Sequence, residues 1–258
     1  MLPAHQNPPC CVPPTPPVSG RGNRKDYDVL ISFAPGAHAV IIGATGGIGA
    51  ALADLLDDDP GFAMVTRLSR ATGLDLTDPA SITASAKSLP APPDLVIVAT
   101  GLLHDTDFSP ERALRQLDAA AFARAFAINA TGPALVAQAM LPLFPKTRKT
   151  LFAALSARVG SISDNRLGGW HAYRASKAAL NQLLRTIAIE HARTSPAGIV
   201  IGLHPGTVDT ALSKPFQRNV GTLLDPATSA ASLLAVIDSA GPAMSGRLYD
   251  WQGAEIAP

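Results

Sequence analysis

Cysteine is nearly missing from this chain. Only Cys10 and Cys11 occur, adjacent and inside a Pro-rich stretch, so neither a disulfide framework nor a cysteine metal quartet can be assembled, and a reducing, cytoplasmic setting is expected. An excess of either charge is missing too. Lys and Arg number 21 against 20 Asp and Glu, a formal net charge of +1 with no basic block, which argues against a nucleic-acid surface. No apolar run approaches the roughly 18 residues of a membrane span. Residues 1–30 lack the continuous apolar core of a secretion signal, and no membrane partner is expected. His104, His171, His191 and His204 show no metal-ligand spacing with Cys or carboxylate partners. No metal site is expected.

What is present reads as one large α/β domain, since 258 residues can bury a sizeable core. Residues 1–34 are set apart as a Pro-rich, disordered extension, with prolines at 3, 8, 9, 13, 14, 16 and 17 followed by Gly20-Arg21-Gly22, a composition that cannot pack. Residues 35–258 form the domain. Ala39–Ile42, Phe62–Leu68 and Asp94–Ala99 are apolar runs of strand length, the first two followed by helical stretches. Such βα repeats imply a parallel sheet covered on both faces, and right-handed crossovers make it doubly wound. Further helices are predicted over 109–117 and 119–144, the second kinked at Gly132-Pro133 because proline removes a backbone bond. Strands at Thr150–Leu155, Ile199–Leu203 and Arg247–Trp251, a mobile flap over 210–224 and a helix over Pro226–Ser239 complete the reading.

Two stretches carry chemistry. Gly43-Ala-Thr-Gly-Gly-Ile-Gly49 lies between a strand and a helix, where glycines let the backbone turn tightly and bring free N–H groups at a helix N-terminus to a pyrophosphate. A P-loop is excluded because no Lys-Ser or Lys-Thr follows. Tyr173 and Lys177 stand four apart on a helix whose apolar stripe runs through Leu180, Leu183, Leu184 and Ile187. Phenol and ammonium therefore share a face, and the cation is expected to lower the phenol's pKa from about 10, suiting Tyr173 for proton transfer to an alcohol oxygen. The second strand ends at Ser69-Arg70, where a site for NAD would place a carboxylate on the ribose. Arg70 instead offers a fork of donors to a 2′-phosphate, with Ser69 adding a hydroxyl and Arg67 one alternation away, so NADP is the expected cofactor and NAD the alternative. The competing reading turns Arg70 to solvent and gives the ribose to Asp75.

The ordered set Gly43-x3-Gly47-x-Gly49, Asn129, Tyr173-x3-Lys177 and Pro205-Gly206 resembles the short-chain dehydrogenase/reductase family over about residues 37–253. The strings Gly101-Leu-Leu-His104, Gly160-Ser-Ile162, Asp164-Asn165, Tyr173–Asn181, His204–Thr210 and Asp250–Gly253 are similar to its C-factor and sniffer-like carbonyl reductases. The resemblance implies a single Rossmann-type domain transferring a hydride between NADP(H) and a carbonyl or alcohol substrate. It makes Tyr173 the general acid/base, Lys177 the residue that holds the nicotinamide ribose and lowers the Tyr pKa, and Asn129 the holder of a relay water. Gly43, Thr45, Gly47, Ile48, Gly49, Ser69, Arg70, Gly101, Pro205 and Gly206 fall in the implied cofactor site, with Asp75 and Leu76 at the adenine and Val208 and Thr210 near the carboxamide and phosphates. A homodimer or homotetramer built on the two helices that hold Asn129 and Tyr173 is also implied. Two strings depart from the family pattern. Val98-Ala-Thr-Gly101 replaces Asn-Asn-Ala-Gly, and the catalytic serine slot, three residues before Gly160, is Ala157. Strand alternation turns Ser156 away, so Ser161 is the favoured serine. A catalytically weak NAD(P)-binding regulator or scaffold is the alternative function.

Overall fold

Ala37–Ile42 (β1) is apolar or small throughout apart from His38, and all six residues are buried, so this strand needs cover on both sides. Leu95–Val98 (β3) and Thr150–Leu155 (β4) are equally buried. With Phe62–Leu68 (β2), Gly198–His204 (β5), Leu248–Asp250 (β6) and Glu255–Ile256 (β7), they form one seven-stranded sheet in the order β2-β1-β3-β4-β5-β6-β7. The first six strands run parallel and β7 is antiparallel. This is the computed structural model of the chain, and it describes residues 30–106, 109–218 and 221–258.

Alternation along the strands divides the core in two. Ala39 and Ile41 pack with Leu52 and Leu56 of Gly47–Asp57 (α1), while Val40, Ile42 and Phe152 face the opposite helical layer. That layer holds Pro79–Lys87 (α2), Ala119–Phe126 (α3), Gly132–Met140 (α4) and His171–Ala192 (α5). Pro226–Ser239 (α6) packs beside α1 on the first face. The doubly wound α/β reading therefore holds. The chain leaves β1 toward β2 on one side and β3 on the other, and a ligand crevice opens where such an order reverses.

Four local expectations change. The boundary at 34 falls too late: Leu30 and Phe33 are buried in the core, and Leu30 N donates to Asp59 Oδ2 at 2.8 Å. The rest of the proposed Pro-rich extension, residues 1–29, lies outside the described residues. No α-helix forms over the described part of 109–117, only a 3₁₀ turn at Leu114–Gln116, because Gln116 Oε1 draws in Arg112 N and Ala113 N. Where a proline kink was expected, the helical backbone runs on without interruption: a π-helical turn at Ala127–Thr131 precedes Gly132-Pro133 and leads directly into α4. The whole stretch Ala119–Leu143 is long and apolar enough to satisfy the composition of a membrane span, against the expectation of no such run. Its Val136, Ala137 and Met140 nevertheless pack on the sheet with Phe152, so it serves as a core helix here.

Candidate active site

The glycine turn is built so tightly that side chains are excluded. Gly43 has φ +87, and a Cβ there would lie 2.8 Å from Thr100 Cγ2; a Cβ on Gly49 would run into the Gly43 carbonyl oxygen. Thr45, Gly46 and Gly47 are exposed, and Gly46 caps α1 without any side-chain bond. A helix N-terminus left open in this way fits an anion. Thr100 Oγ1, beside the turn, is buried without a hydrogen-bond partner. Across it, Thr210 Cγ2 would be 2.9 Å from a Cβ on Gly47, which brings the segment after β5 onto the turn. Pro205 accepts from Ser229 Oγ, and Gly206 has φ +78 with Trp251 and Leu224 against it. Val208 is buried and bridges Leu224. These residues together make a cradle suited to a dinucleotide.

Tyr173 and Lys177 lie on one face of α5, the ammonium nitrogen 5.9 Å from the ring centroid. Around Gly101, Lys177 Nζ and Asn129 Oδ1 each approach to 3.8 Å of a Cβ placed there. The pKa expectation reverses. Burial pushes Tyr173 up to about 12 and pulls Lys177 down to about 7, because desolvation disfavours both charged forms; Lys177 Nζ donates to the Leu155 carbonyl oxygen at 2.7 Å. Asn129, fully buried in the π-helical turn, accepts from Leu102 N at 2.7 Å and donates to Leu102 O at 2.8 Å and Ser176 Oγ at 3.0 Å. Its side chain is thus committed to the loop after β3 rather than to a water.

At the β2 end, Ser69 is buried and its backbone N–H and carbonyl both bond Thr72 Oγ1, while Arg70 is exposed at the start of a 3₁₀ turn. Arg67 is not available, since it pairs with Asp54 and Asp57 of α1. Asp75 Oδ1 holds Thr77 N and Oγ1 at 2.8 and 2.7 Å, which keeps its carboxyl below the usual range. Leu76 is buried against Gly132, where a Cβ would lie 2.7 Å from Leu76 Cβ, so its side chain belongs to the core. Above Tyr173 stand aromatic rings: Trp170 is edge-on to Tyr173 at 6.2 Å and to Phe216 at 5.1 Å, and Phe216 is edge-on to His104 at 5.4 Å.

The family pattern described as short chain dehydrogenase matches residues 70–221, more than half of the chain. The protein belongs to the short-chain dehydrogenase family. It is 41% identical over 145 residues to C-signal of Myxococcus xanthus, a match spanning 56% of this chain and 82% of that protein. Its fold is similar to that of carbonyl reductase Sniffer of D. melanogaster, with a TM-score of 0.74 at 18% identity over 87% of this chain and 100% of the other. A short-chain dehydrogenase/reductase from Burkholderia multivorans with bound NADP superimposes with a TM-score of 0.71 at 25% identity, again over 87% and 100%.

For a short-chain dehydrogenase, the serine slot is the sharpest departure. Ala157 stands two residues beyond β4, and the Ser156 Oγ before it donates to Asn181 Oδ1 of α5 at 2.7 Å, so that hydroxyl is engaged. Ser161 is buried, but its Oγ accepts from Asp164 N at 3.2 Å and lies 3.4 Å from Ser163 Oγ, so it stabilises its own turn. Among the described residues, no hydrogen bond joins either serine to Tyr173. Sequence reading missed Ser176, Glu111 and Thr100. Ser176 was findable, because it stands i+3 from Tyr173 on the same helix; Glu111 was not.

The buried Lys177 gives a stability test. Its folded value of about 7 lies below the ordinary 10.5, so between those pH values the unfolded chain holds a proton that the folded chain has lost, and stability rises with pH. Lys177→Met lacks this dependence. The advantage of Lys177→Met over the wild type in urea unfolding should therefore shrink by about 2–3 kcal/mol from pH 6 to pH 9; a constant difference would show that Lys177 keeps an ordinary pKa.

Proposed function

We propose that this family member is an NADP(H)-dependent carbonyl reductase in which Tyr173 gives the proton. The observation that carries the reading is the grouping of Tyr173, Lys177, Asn129 and Gly101 beside the glycine cradle. The cofactor, when bound, supplies or accepts the hydride. Tyr173, held protonated at neutral pH by its burial, donates its hydroxyl proton to the substrate oxygen as the carbonyl carbon is reduced, which favours the reductive direction. Lys177 fixes the ribose end and, near its titration point, restores a proton to the site. Asn129 locks the Leu102 backbone. NADPH consumption by purified protein against a panel of aldehydes, ketones and quinones tests the reading, and no turnover of any member would overturn it.

Ala157 favours a second reading, a nucleotide-binding regulator of the same fold with weak catalysis. It predicts tight NADPH binding without oxidation.

The preference for NADP rests on Arg70. It is exposed and, among the described residues, makes no salt bridge of the kind that occupies Arg67; Asp75, which feels the Arg70 charge, is tied to Thr77, which supports a 2′-phosphate contact over a ribose-carboxylate one. The NADP held by the Burkholderia relative agrees with this. If the charge-assisted contact is worth about 1.5–3 kcal/mol, Arg70→Ala should cut the NADPH:NADH ratio of kcat/KM by about ten- to a hundredfold. A ratio unmoved by the substitution would remove Arg70 from the site.

A further inference from the structure

Helix α5 carries Tyr173 in its first turn, yet its own sequence builds that start poorly. Trp170, at the cap position, has φ 53 and ψ 42, gives no side-chain cap bond, and no acidic residue occupies the first turn. Among the described residues it alone combines a side chain with a positive φ, in a region that bulky side chains avoid. Glu111 closes the helix from outside. Ala172 N donates to Glu111 Oε2 at 3.3 Å across a separation of 61 residues, and Trp170 N donates to the Glu111 carbonyl oxygen at 2.5 Å. The carboxylate also faces the positive end of the helix dipole.

A cap of this kind would be ordinary if it were fully satisfied, and it is not. Glu111 is 5% exposed, and its second oxygen, Oε1, is buried without a partner, as is His171 Nδ1 one residue into the helix. Two unpartnered polar atoms and a strained backbone therefore share the corner that directs the Trp170 ring. That ring bridges Tyr173 and Phe216. Strain retained against a packing cost at such a place points to function.

We propose that Glu111 is a positioning residue: by capping α5 and holding Trp170 in its left-handed conformation, it sets the aromatic wall that aligns the substrate carbonyl with the Tyr173 hydroxyl. The proposal rests on the reading of Tyr173 as proton donor, and its test separates the two.

The chain has two tryptophans, so in a Trp251→Phe background the emission and near-UV circular dichroism report Trp170 alone. Glu111→Ala and Glu111→Asp, the latter too short by one methylene to reach Ala172 N, should shift Trp170 emission to the red. Both should lower kcat for an aromatic ketone by about ten- to a hundredfold, with NADPH affinity unchanged. Glu111→Gln keeps an acceptor oxygen and should restore most of the rate. A Trp170→Ala, Glu111→Ala double variant should be no worse than Trp170→Ala alone, because both changes remove one unit. Additive losses, or a folded Glu111→Asp with wild-type kcat and emission, would overturn the proposal. If Glu111→Ala does not fold, Glu111→Asp and Glu111→Gln carry the comparison. If the wild type reduces no carbonyl, the carbonyl reductase reading fails, and Trp170 emission by itself decides the role of Glu111.

Discussion

Tyr173→Phe is expected to lower kcat for carbonyl reduction by about 10²–10⁴, the range of a lost general acid, with NADPH affinity unchanged. The substitution removes one oxygen and little else. Lys177 Nζ stays on the Leu155 carbonyl, Asn129 stays on Leu102 and Ser176, and the phenylalanine ring can keep the edge contact that Trp170 makes at 6.2 Å. Binding and chemistry should therefore separate, which steady-state kinetics with fluorescence titration of NADPH can measure. The pH profile adds a check. With Tyr173 pushed up to about 12, the acid form persists across pH 6–9, so the inflection expected from Lys177, pulled down to about 7, should vanish in Lys177→Met, whereas one from Lys149, pulled down to about 8, should remain. Undiminished turnover in Tyr173→Phe would sink the mechanism; joint loss of turnover and NADPH binding would trace the defect to the fold.

How much of this was readable in the chain depended on distance along it. The glycine turn and the Tyr173–Lys177 pair are local: strand, turn and helix are contiguous, and four residues define a helical face. The parallel sheet was readable because β1, β3 and β4 are apolar on both faces. The direction of the two pKa shifts was not, because it follows from burial, which only the packed fold decides. The same holds for Glu111 at the start of α5. Asp59 closes the acidic run Asp57-Asp58-Asp59, yet it is buried and receives Leu30 N and Gly61 N, partners that no local pattern announces. Arg67 looked like a phosphate ligand until α1 supplied its carboxylates. The kink expected at Gly132-Pro133 gave no sign of the π-helical turn at Ala127–Thr131 just before it, because a single wide turn leaves no period in the sequence.

Ala157→Ser is expected to raise kcat, by as much as about 10²–10³ if the new hydroxyl reaches the developing alkoxide, the scale of one oxyanion donor. The position is suitable. Ala157 caps the 3₁₀ turn Arg158–Gly160, and that turn is pressed on α5 so closely that a Cβ on Gly160 would lie 2.9 Å from Lys177 Cβ. The neighbouring hydroxyls are already engaged, Ser156 with Asn181 and Ser161 with the Asp164 backbone, so Tyr173 is left as the donor to the substrate oxygen. At 9% exposure the added hydroxyl needs a partner, and an unsatisfied one would cost about 1–3 kcal/mol of stability. Thermal unfolding with and without NADPH would expose that cost and separate it from the rate. Ser156→Ala should leave kcat unchanged, and Ser161→Ala should act mainly through its turn. A wild type that binds NADPH with little turnover, joined to a fast Ala157→Ser variant, would mean that catalysis is held down at this one position in an otherwise complete site. A neutral Ala157→Ser together with a large loss in Ser161→Ala would instead give the donor role to Ser161, with its hydroxyl proton directed out of the turn toward the substrate.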